Sequence, residues 1–94
     1  PALMKNATLR QLKVFETVAR HLSYSRAAEE LHLTQPAVSI QVSQLEAHAG
    51  LPLFERLGRK IYLTPAGHEM LRYSRGIIQQ FREAEEALAA LKGI

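Results

Sequence analysis

A group of short, uncharged side chains between residues 35 and 43 has the chemistry needed to read the edges of base pairs. A glutamine amide can pair with adenine, a serine hydroxyl can bond several bases or a phosphate, and an aliphatic group can contact the methyl of thymine. Gln35, Ser39, Ile40 and Ser43 supply these groups within one predicted helix. Their place near the start of that helix is typical of a helix that enters the major groove of DNA.

The outer face of this helix carries no charge, whereas a helix that only meets water would carry Lys or Glu there. Residues follow one another at about 100° around a helix, and the core stripe consists of Val38, Val42, Leu45 and Ala49. The opposite face holds Pro36, Ile40, Ser43 and Ala47, flanked by Ala37, Ser39 and Gln44. The alternative is that Thr34 is only a helix cap, Pro36 only a helix initiator, and Ile40 buried against another element or subunit.

Three cations, Arg56, Arg59 and Lys60, stand close together beside a single acid, Glu55. They flank a predicted turn, from which they could reach phosphates or a minor groove. The alternative is a charged turn that only faces solvent. The chain has a net charge of +3, and residues 1–65 hold all of this surplus, with eight bases against five acids (8 − 5 = +3). A polyanion partner for this part of the chain is therefore favoured.

A helix-turn-helix is the element that would position the base-reading side chains. A first helix is predicted from the T-x-x-Q capping box that begins at Thr8. Its buried face is expected to consist of Leu9, Leu12, Phe15, Ala19 and Leu22. A short second helix is predicted from Arg26 to about Leu31, with Ser25 as its N-cap.

The third helix is predicted to begin after Thr34 and to end at Gly50. A two-stranded hairpin follows, with strands at 53–56 and 60–63. Because the hairpin comes directly after a helix-turn-helix, it occupies the position of the wing in a winged helix-turn-helix. The predicted fold class is therefore mainly α: a winged helix-turn-helix of three helices and a two-stranded β-hairpin, followed by a long linker helix.

This long fourth helix is predicted from Thr64-Pro65, a cap followed by an initiator, to about Leu91. About 27 residues at 1.5 Å each make a rod of roughly 40 Å, which is too long to lie wholly on the small domain. Apolar and small residues recur at heptad spacing at Met70, Ser74, Ile77, Phe81, Ala84, Leu88 and Leu91, with Leu71 and Ile78 widening the stripe. We expect Leu71 and Met70 to pack on the chain's own domain.

Beyond Ile77 the domain is expected to be out of reach, so the apolar side chains there would face water in a monomer. A second copy of the chain is the simplest partner for them. The residues expected to join the two copies are Ile77, Phe81, Ala84, Leu88 and Leu91. Heptad spacing does not determine whether the two helices run parallel or antiparallel.

Enzymatic, metal-binding and membrane functions find little support in the residue inventory. The chain has no Cys and no Asp, and its histidines at positions 21, 32, 48 and 68 lack the spacing of metal ligands. A Gly-rich phosphate loop is also missing, so we expect no enzyme activity. No apolar run approaches the roughly 18 residues of a membrane span. We expect a soluble protein inside the cell.

Four motifs, taken together, resemble the N-terminal domain of LysR-type transcriptional regulators. They are S-R-A-A-E at 25–29, L-H-L-T-Q-P-A-V-S at 31–39, L-F-E-R at 53–56 and L-T-P-A-G at 63–67. The resemblance covers about residues 9–90. It implies a winged helix-turn-helix with a linker helix, binding DNA as a dimer within a larger oligomer, and it implies that the paired linker helices are antiparallel.

The resemblance also implies roles for individual residues. Those expected to read bases in the major groove are Gln35, Pro36, Ala37, Ser39 and Ile40, to which the helical face adds Ser43. Arg59 is expected to enter the minor groove, with Arg56 and Lys60 beside it on the wing. Phosphate contacts are expected from Ser25, Arg26 and Thr34. Many members have a basic or imidazole side chain at position 40, so Ile40 favours a thymine methyl over a guanine.

Two segments, A-R-H-L-S-Y-S-R-A-A-E at 19–29 and Q-P-A-V-S-I-Q-V at 35–42, resemble the subgroup that controls operons for ribulose-bisphosphate carboxylase. The expected partner is double-stranded DNA with a pseudo-palindromic T…A site, bound by a homodimer that belongs to a higher oligomer in the full-length protein. We expect no cofactor in this segment, because the small-molecule effector domain of the family is not part of it. The alternative is a winged helix that serves protein interaction or dimerisation without binding DNA.

The predicted organisation has three parts. Residues 1–8 form an N-terminal lead-in, in which residues 1–3 are expected to be a non-native extension before Met4. Residues 9–64 form the winged helix-turn-helix domain that binds DNA. Residues 65–92 form the linker and dimerisation helix.

Overall fold

The computed structural model describes residues 4–93, so the expected non-native extension at residues 1–3 lies outside the described residues. Within the described range the chain forms a short 3₁₀ helix, four α-helices and a two-stranded sheet. In chain order these are the 3₁₀ helix Met4–Asn6, α1 Leu9–His21, α2 Tyr24–Leu31, α3 Gln35–Ala49, β1 Phe54–Leu57, β2 Lys60–Leu63 and α4 Pro65–Leu91. The mainly α architecture, with a hairpin between the third and fourth helices, confirms the predicted fold class.

Helix α1 packs against three other helices, α2, α3 and α4. Its capping box forms as predicted: the Gln11 N–H donates to the Thr8 hydroxyl and the Thr8 N–H donates to Gln11 Oε1, each at 3.1 Å. Because neighbours cover the helix on several sides, its buried set is wider than a single amphipathic stripe. The buried apolar residues are Leu12, Val14, Phe15, Val18 and Ala19.

The junction between α1 and α2 differs from the prediction in two ways. Leu22 ends α1 in the left-handed conformation, with φ 50°, and its side chain is 43% exposed rather than buried. Ser23, not Ser25, is the N-cap of α2, because its backbone is extended and its hydroxyl accepts the Arg26 N–H at 3.1 Å. The helix therefore begins at Tyr24, two residues earlier than predicted.

A tight turn joins α2 to α3, and the two helices with this turn form the helix-turn-helix. His32 ends α2 with a positive φ of 56°. Thr34 caps α3, as predicted, by accepting the Ala37 N–H at 3.2 Å, and Gly50 ends the helix with φ 76°. The predicted core stripe of α3 is buried at Val38, Val42 and Leu45 and half-buried at Ala49.

The antiparallel pairing of β1 with β2, which sets Phe54 opposite Leu63, confirms the predicted hairpin. Strand β1 begins one residue later than predicted, because Leu53 belongs to the core instead. Leu53 is 1% exposed, and its N–H donates to the Glu46 carboxylate at 2.7 Å. Gly58, with φ 64°, occupies the first position of the two-residue turn, where tight hairpin turns require a positive φ.

The start of α4 is fixed against the core and the hairpin. The Thr64 hydroxyl accepts the Gly67 N–H at 2.9 Å and donates to the Pro52 carbonyl at 2.7 Å. A glycine is required at position 67, since a Cβ there would lie 2.1 Å from the carbonyl oxygen of Leu53. These contacts hold the linker helix in one direction relative to the wing.

Helix α4 follows α1 further than predicted. Ile78, expected in the exposed stripe, is only 6% exposed, and the Phe81 ring centroid lies 5.7 Å from Lys13 Nζ. The expectation that the domain is out of reach beyond Ile77 is therefore wrong, because α1 lies alongside α4 for about one further turn. Both core contacts predicted for this helix, Met70 and Leu71, are confirmed.

Candidate nucleic-acid interface

The outer face of α3 is accessible over the length of the helix. Its base-reading candidates are exposed at Gln35, Pro36, Ser39, Ile40 and Ser43 and half-buried at Ala37. Ile40 is 54% exposed, which excludes its burial within the described chain, whereas Val38 and Leu45 on the opposite side are 0% exposed. The structure therefore brings these candidates together on one uncharged, accessible surface, as the helical spacing predicts.

The residues expected to contact phosphate lie at the starts of α2 and α3. Ser25 and Arg26 are exposed in the first turn of α2, where Ser25 Oγ lies 3.1 Å from Ser23 Oγ. Thr34 is exposed before α3, and its hydroxyl can still donate its proton while its oxygen caps the helix. Because a helix N-terminus carries a partial positive charge, both helix starts favour an anion nearby.

The wing approaches both helix starts, and together they line an open polar pocket of about 180 Å³. Among the residues that line it are Ser25, Gln35, Arg56 and Arg59. Three groups that are distant in sequence, the start of α2, the start of α3 and the wing, therefore share one recess. Lys60 is exposed at the start of β2 and lies outside this pocket.

The wing cations are not neutralised by the described part of the chain. Within residues 4–93, neither Arg56 nor Arg59 has a carboxylate within ion-pair distance. By contrast, Arg20 pairs with Glu16 at 3.2 Å and with Glu30 at 2.7 Å. A cation that keeps its charge exposed at the mouth of a polar pocket is available for an external anion.

The ion pairs of Arg20 lie outside the polar pocket, and the one with Glu30 connects α1 to α2. The guanidinium of Arg20 and then the ring of His21, at 2.7 Å, hold the pKa of Glu30 down to about 2. The same contact with Glu30, followed by that with Glu16, raises the pKa of Arg20. Both groups stay charged at any ordinary pH, so this network joins α1 to α2 and offers no free charge to an external partner.

Tyr24 links α2 to the hairpin beside the pocket. Its ring meets the edge of the Phe54 ring at a centroid distance of 5.9 Å. Burial raises the pKa of its hydroxyl, and the nearby Glu46 carboxylate raises it further. The hydroxyl therefore stays protonated, and this contact positions the wing relative to α2.

The described part of α4 leaves an apolar stripe uncovered. Ile77, Phe81, Leu88 and Leu91 are 49%, 45%, 60% and 85% exposed, and Ala84 is also exposed. Next to the first half of this stripe lies an open apolar groove of about 470 Å³. Among its lining residues are Leu12, Leu51, Met70, Tyr73 and Ile77.

One pair of residues with a place at this interface was not predicted. Gln11, 5% exposed, donates from Nε2 to Oε1 of Gln44 at 3.2 Å, which joins the start of α1 to the edge of the outer face of α3. The sequence placed Gln11 in a capping box and Gln44 beside the outer face, but no spacing rule connects residues 33 positions apart.

Residues 4–93 contain neither a candidate metal site nor a helix that could span a membrane. No group of three or more His, Cys, Asp or Glu side chains could hold a metal ion there. In the same range, no helix combines the length and the apolar character needed to cross a membrane.

The chain is similar to one known protein family and to several known proteins. The profile of a family described as "Bacterial regulatory helix-turn-helix protein, lysR family" matches residues 9–68. The RuBisCO operon transcriptional regulator of Allochromatium vinosum is 64% identical over 89 residues, which are 95% of this chain and 30% of that protein. The HTH-type transcriptional regulator CbbR of Rhodospirillum rubrum is 56% identical over 85 residues, which are 90% of this chain and 28% of that protein. The chain thus spans less than a third of the length of these relatives.

Two solved structures of protein–DNA complexes also match this chain. A crystal structure of a CbnR_DBD–DNA complex matches with a TM-score of 0.80 at 40% identity, covering 89% of this chain and 98% of that one. A complex of BenM_DBD with catB site 1 DNA matches with a TM-score of 0.85 at 30% identity, covering 89% of this chain and 94% of that one. The family profile covers more than half of the sequence, and the relatives found are transcriptional regulators rather than enzymes. The chain therefore belongs to the LysR family of bacterial helix-turn-helix regulators.

Proposed function

We propose that this chain is the sequence-specific DNA-binding domain of a LysR-type transcription regulator that controls operons for ribulose-bisphosphate carboxylase. One observation carries the proposal: the uncharged outer face of α3 is exposed beside a wing whose Arg56 and Arg59 have no carboxylate partner within residues 4–93. Uncharged groups suit base edges and free cations suit phosphates, so together they fit a DNA duplex better than a protein. The names of the relatives support the choice of operon.

In this proposal α3 lies in the major groove with its first turns against the base edges. Gln35 pairs with an adenine, the hydroxyls of Ser39 and Ser43 bond base edges, and Ile40 covers a thymine methyl. Pro36 and Ala37 have small profiles that allow the backbone of the helix to approach the bases closely. Exposure of this face supports the assignment, because no part of the described chain would have to move aside.

The remaining candidates hold the duplex in place. Arg59, at the turn of the hairpin, enters the minor groove, and Arg56 and Lys60 neutralise phosphates beside it. The hydroxyls of Ser25 and Thr34 and the side chain of Arg26 contact phosphates next to the major groove. The pocket that contains Ser25, Gln35, Arg56 and Arg59 supports this arrangement, since its size and polarity suit one phosphate group.

Two copies of the chain would bind one pseudo-palindromic T…A site. A homodimer formed through α4 covers the exposed stripe that includes Ile77, Phe81 and Leu88. The full-length protein then assembles into a higher oligomer, acts in the cytoplasm and associates with the nucleoid. Residues 9–64 form the DNA-binding unit and residues 65–92 the dimerisation helix in this scheme.

An antiparallel pair of α4 helices fits the apolar groove best. Leu88 and Leu91 of the second copy would then lie over the groove that Met70, Tyr73 and Ile77 line at the other end of the stripe. Because the chain has no cysteine, introduced thiols can test the orientation. Leu88→Cys alone should give no disulfide-linked dimer, whereas a mixture with Tyr73→Cys should; linkage of Leu88→Cys to itself would indicate a parallel pair.

Fluorescence anisotropy titration of a labelled duplex tests the proposed function directly. The chain should bind an inverted repeat with a T…A core more tightly than a scrambled duplex of the same composition. Its affinity should fall by roughly a hundredfold or more between about 50 and 200 mM salt, since several phosphates release counterions. Absence of binding at about 50 mM salt would contradict the proposal and favour a protein-interaction module.

A further inference from the structure

A short series of hydrogen bonds connects the first turn of α1 to the edge of the recognition face. The Thr8 N–H donates to Gln11 Oε1 at 3.1 Å, and Gln11 Nε2 donates to Gln44 Oε1 at 3.2 Å. Gln11 is 5% exposed, so its amide is held inside the protein. Gln44 at the end of the series is exposed.

The direction of this series follows from the chemistry of its first member. A backbone N–H can only donate, so Gln11 must turn its oxygen toward Thr8 and its NH₂ group toward Gln44. An NH₂ group can only donate as well, so Gln44 must accept with its oxygen. The NH₂ group of Gln44 is then directed away from Gln11, and it has no acceptor among residues 4–93.

The position of Gln44 on α3 identifies the kind of acceptor that would meet it. Gln44 lies four residues after Ile40, on the flank of the outer face and next to the start of α1 rather than at the centre of the face. Recognition helices read bases with their first turns, and their flanks and later turns face the sugar-phosphate backbone at the groove edge. A donor that is oriented before binding loses less conformational entropy when it meets such a phosphate.

We propose that Gln44 donates a hydrogen bond from Nε2 to a DNA backbone phosphate at the edge of the major groove, with Gln11 as the residue that positions it. The proposal rests on the proposed function, because it needs α3 in the groove. It adds a sequence-independent contact on the side of α3 away from the wing, so that the helix is held at both edges.

Gln44→Met tests the contact without changing charge, and Gln79→Met, on the side of α4 opposite the apolar stripe, is the matched control. Anisotropy titrations should show Gln44→Met losing roughly tenfold in affinity on the T…A duplex and on a scrambled duplex alike. Gln79→Met should change either affinity by less than about twofold. Equal affinities for the two variants would overturn the proposal, as would a loss confined to the T…A duplex, which would make Gln44 a base reader.

Gln11→Met tests the positioning role, because it removes the donor to Gln44 without adding charge. It should weaken DNA binding by roughly threefold in the wild-type background and have no further effect in the Gln44→Met background. A merely structural role would lower affinity equally in both backgrounds, with thermal unfolding as the check on the fold. Wild-type binding separates the two hypotheses: if the wild-type chain binds DNA and these variants behave like their controls, only the role of Gln44 is overturned.

Discussion

Two surfaces of this chain, the outer face of α3 and the stripe along α4, expose apolar side chains to a similar degree. Ile40 on α3 is 54% exposed and Leu88 on α4 is 60% exposed. Their surroundings differ. Ile40 stands alone among serine hydroxyls and a glutamine amide, with free arginines on the wing nearby, whereas Leu88 belongs to a stripe that continues through Phe81 and Leu91.

This difference shows that exposure alone does not identify a partner. A single aliphatic side chain among hydrogen-bonding groups can match one methyl within a polar groove. A continuous apolar stripe offers no hydrogen bonds and is stabilised only when another apolar surface covers it. We therefore propose DNA as the partner of the α3 face and a second copy of the chain as the partner of the α4 stripe. Four variants test this division, and they follow in order of expected effect.

Charge placed on the α4 stripe should have the largest effect. In the double variant Leu88→Glu with Leu91→Glu, each dimer would bury four carboxylates without partners, which raises the dimer Kd by roughly a thousandfold or about 4 kcal/mol. Analytical ultracentrifugation should show monomers, and a separate thermal melt should show that these monomers are folded. The control, Gln79→Glu with Ala90→Glu on the opposite side of α4, should stay dimeric. A dimer that survives the first variant would place the contact elsewhere.

Removing the charge of Arg59 from the wing should have the second-largest effect. Arg59→Ala is expected to weaken DNA binding by roughly 1–3 kcal/mol while the dimer remains intact, because Arg59 has no carboxylate partner within the described chain. Arg82→Ala removes the same charge from α4, outside the proposed interface, and is the matched control in an anisotropy titration. A loss below about 0.3 kcal/mol, or equal to that of the control, would make Arg59 a solvated turn residue.

Gln35→Ala should act on base preference more than on affinity. We expect the advantage of the T…A duplex over a scrambled duplex to shrink by about 1–2 kcal/mol, because the amide that pairs with adenine is gone. Binding to the scrambled duplex should change little. Competition titrations with both duplexes measure this ratio, and an equal loss on both would reassign Gln35 to positioning on phosphate.

Ile40→Ala should have the smallest effect, and it tests most directly the difference between the α3 face and the α4 stripe. Removing the aliphatic side chain should weaken operator binding by about 1 kcal/mol and leave the dimer Kd unchanged. Replacing the contacted thymine by deoxyuridine removes the methyl group and should cause a similar loss. Because the two changes delete the same contact, their effects should not add; full additivity would show that Ile40 does not meet that methyl.

The elements of the fold were predictable because their signals are local. The hydroxyls of Thr8, Thr34 and Thr64 each accept an N–H three residues later, and such caps can be read directly from neighbouring residue types. Where two hydroxyls compete, the local signal is ambiguous: Ser25 was predicted to cap α2, but Ser23 does so. Leu22 was misplaced for a related reason, since helical periodicity does not show that a non-glycine residue ends the helix in the left-handed conformation.

The outer face of α3 could be predicted from helical geometry, because the apolar stripe of Val38, Val42 and Leu45 leaves only the opposite side free. The burial of these three residues agrees with that prediction. The limits of the α4 stripe could not be predicted from helical geometry, because the packing of α1 against α4 determines that Ile78 is buried.

The order of residues along the chain thus determined which helices form, where α1, α3 and α4 are capped and which face of α3 is uncharged, since each of these depends on residues within a turn or two of one another. Only the tertiary structure brought Ser25, Gln35 and Arg59 around one pocket and Gln11 beside Gln44. The physical reason is that the distance between side chains on different helices is set by how the buried residues of those helices pack, and no local spacing encodes it.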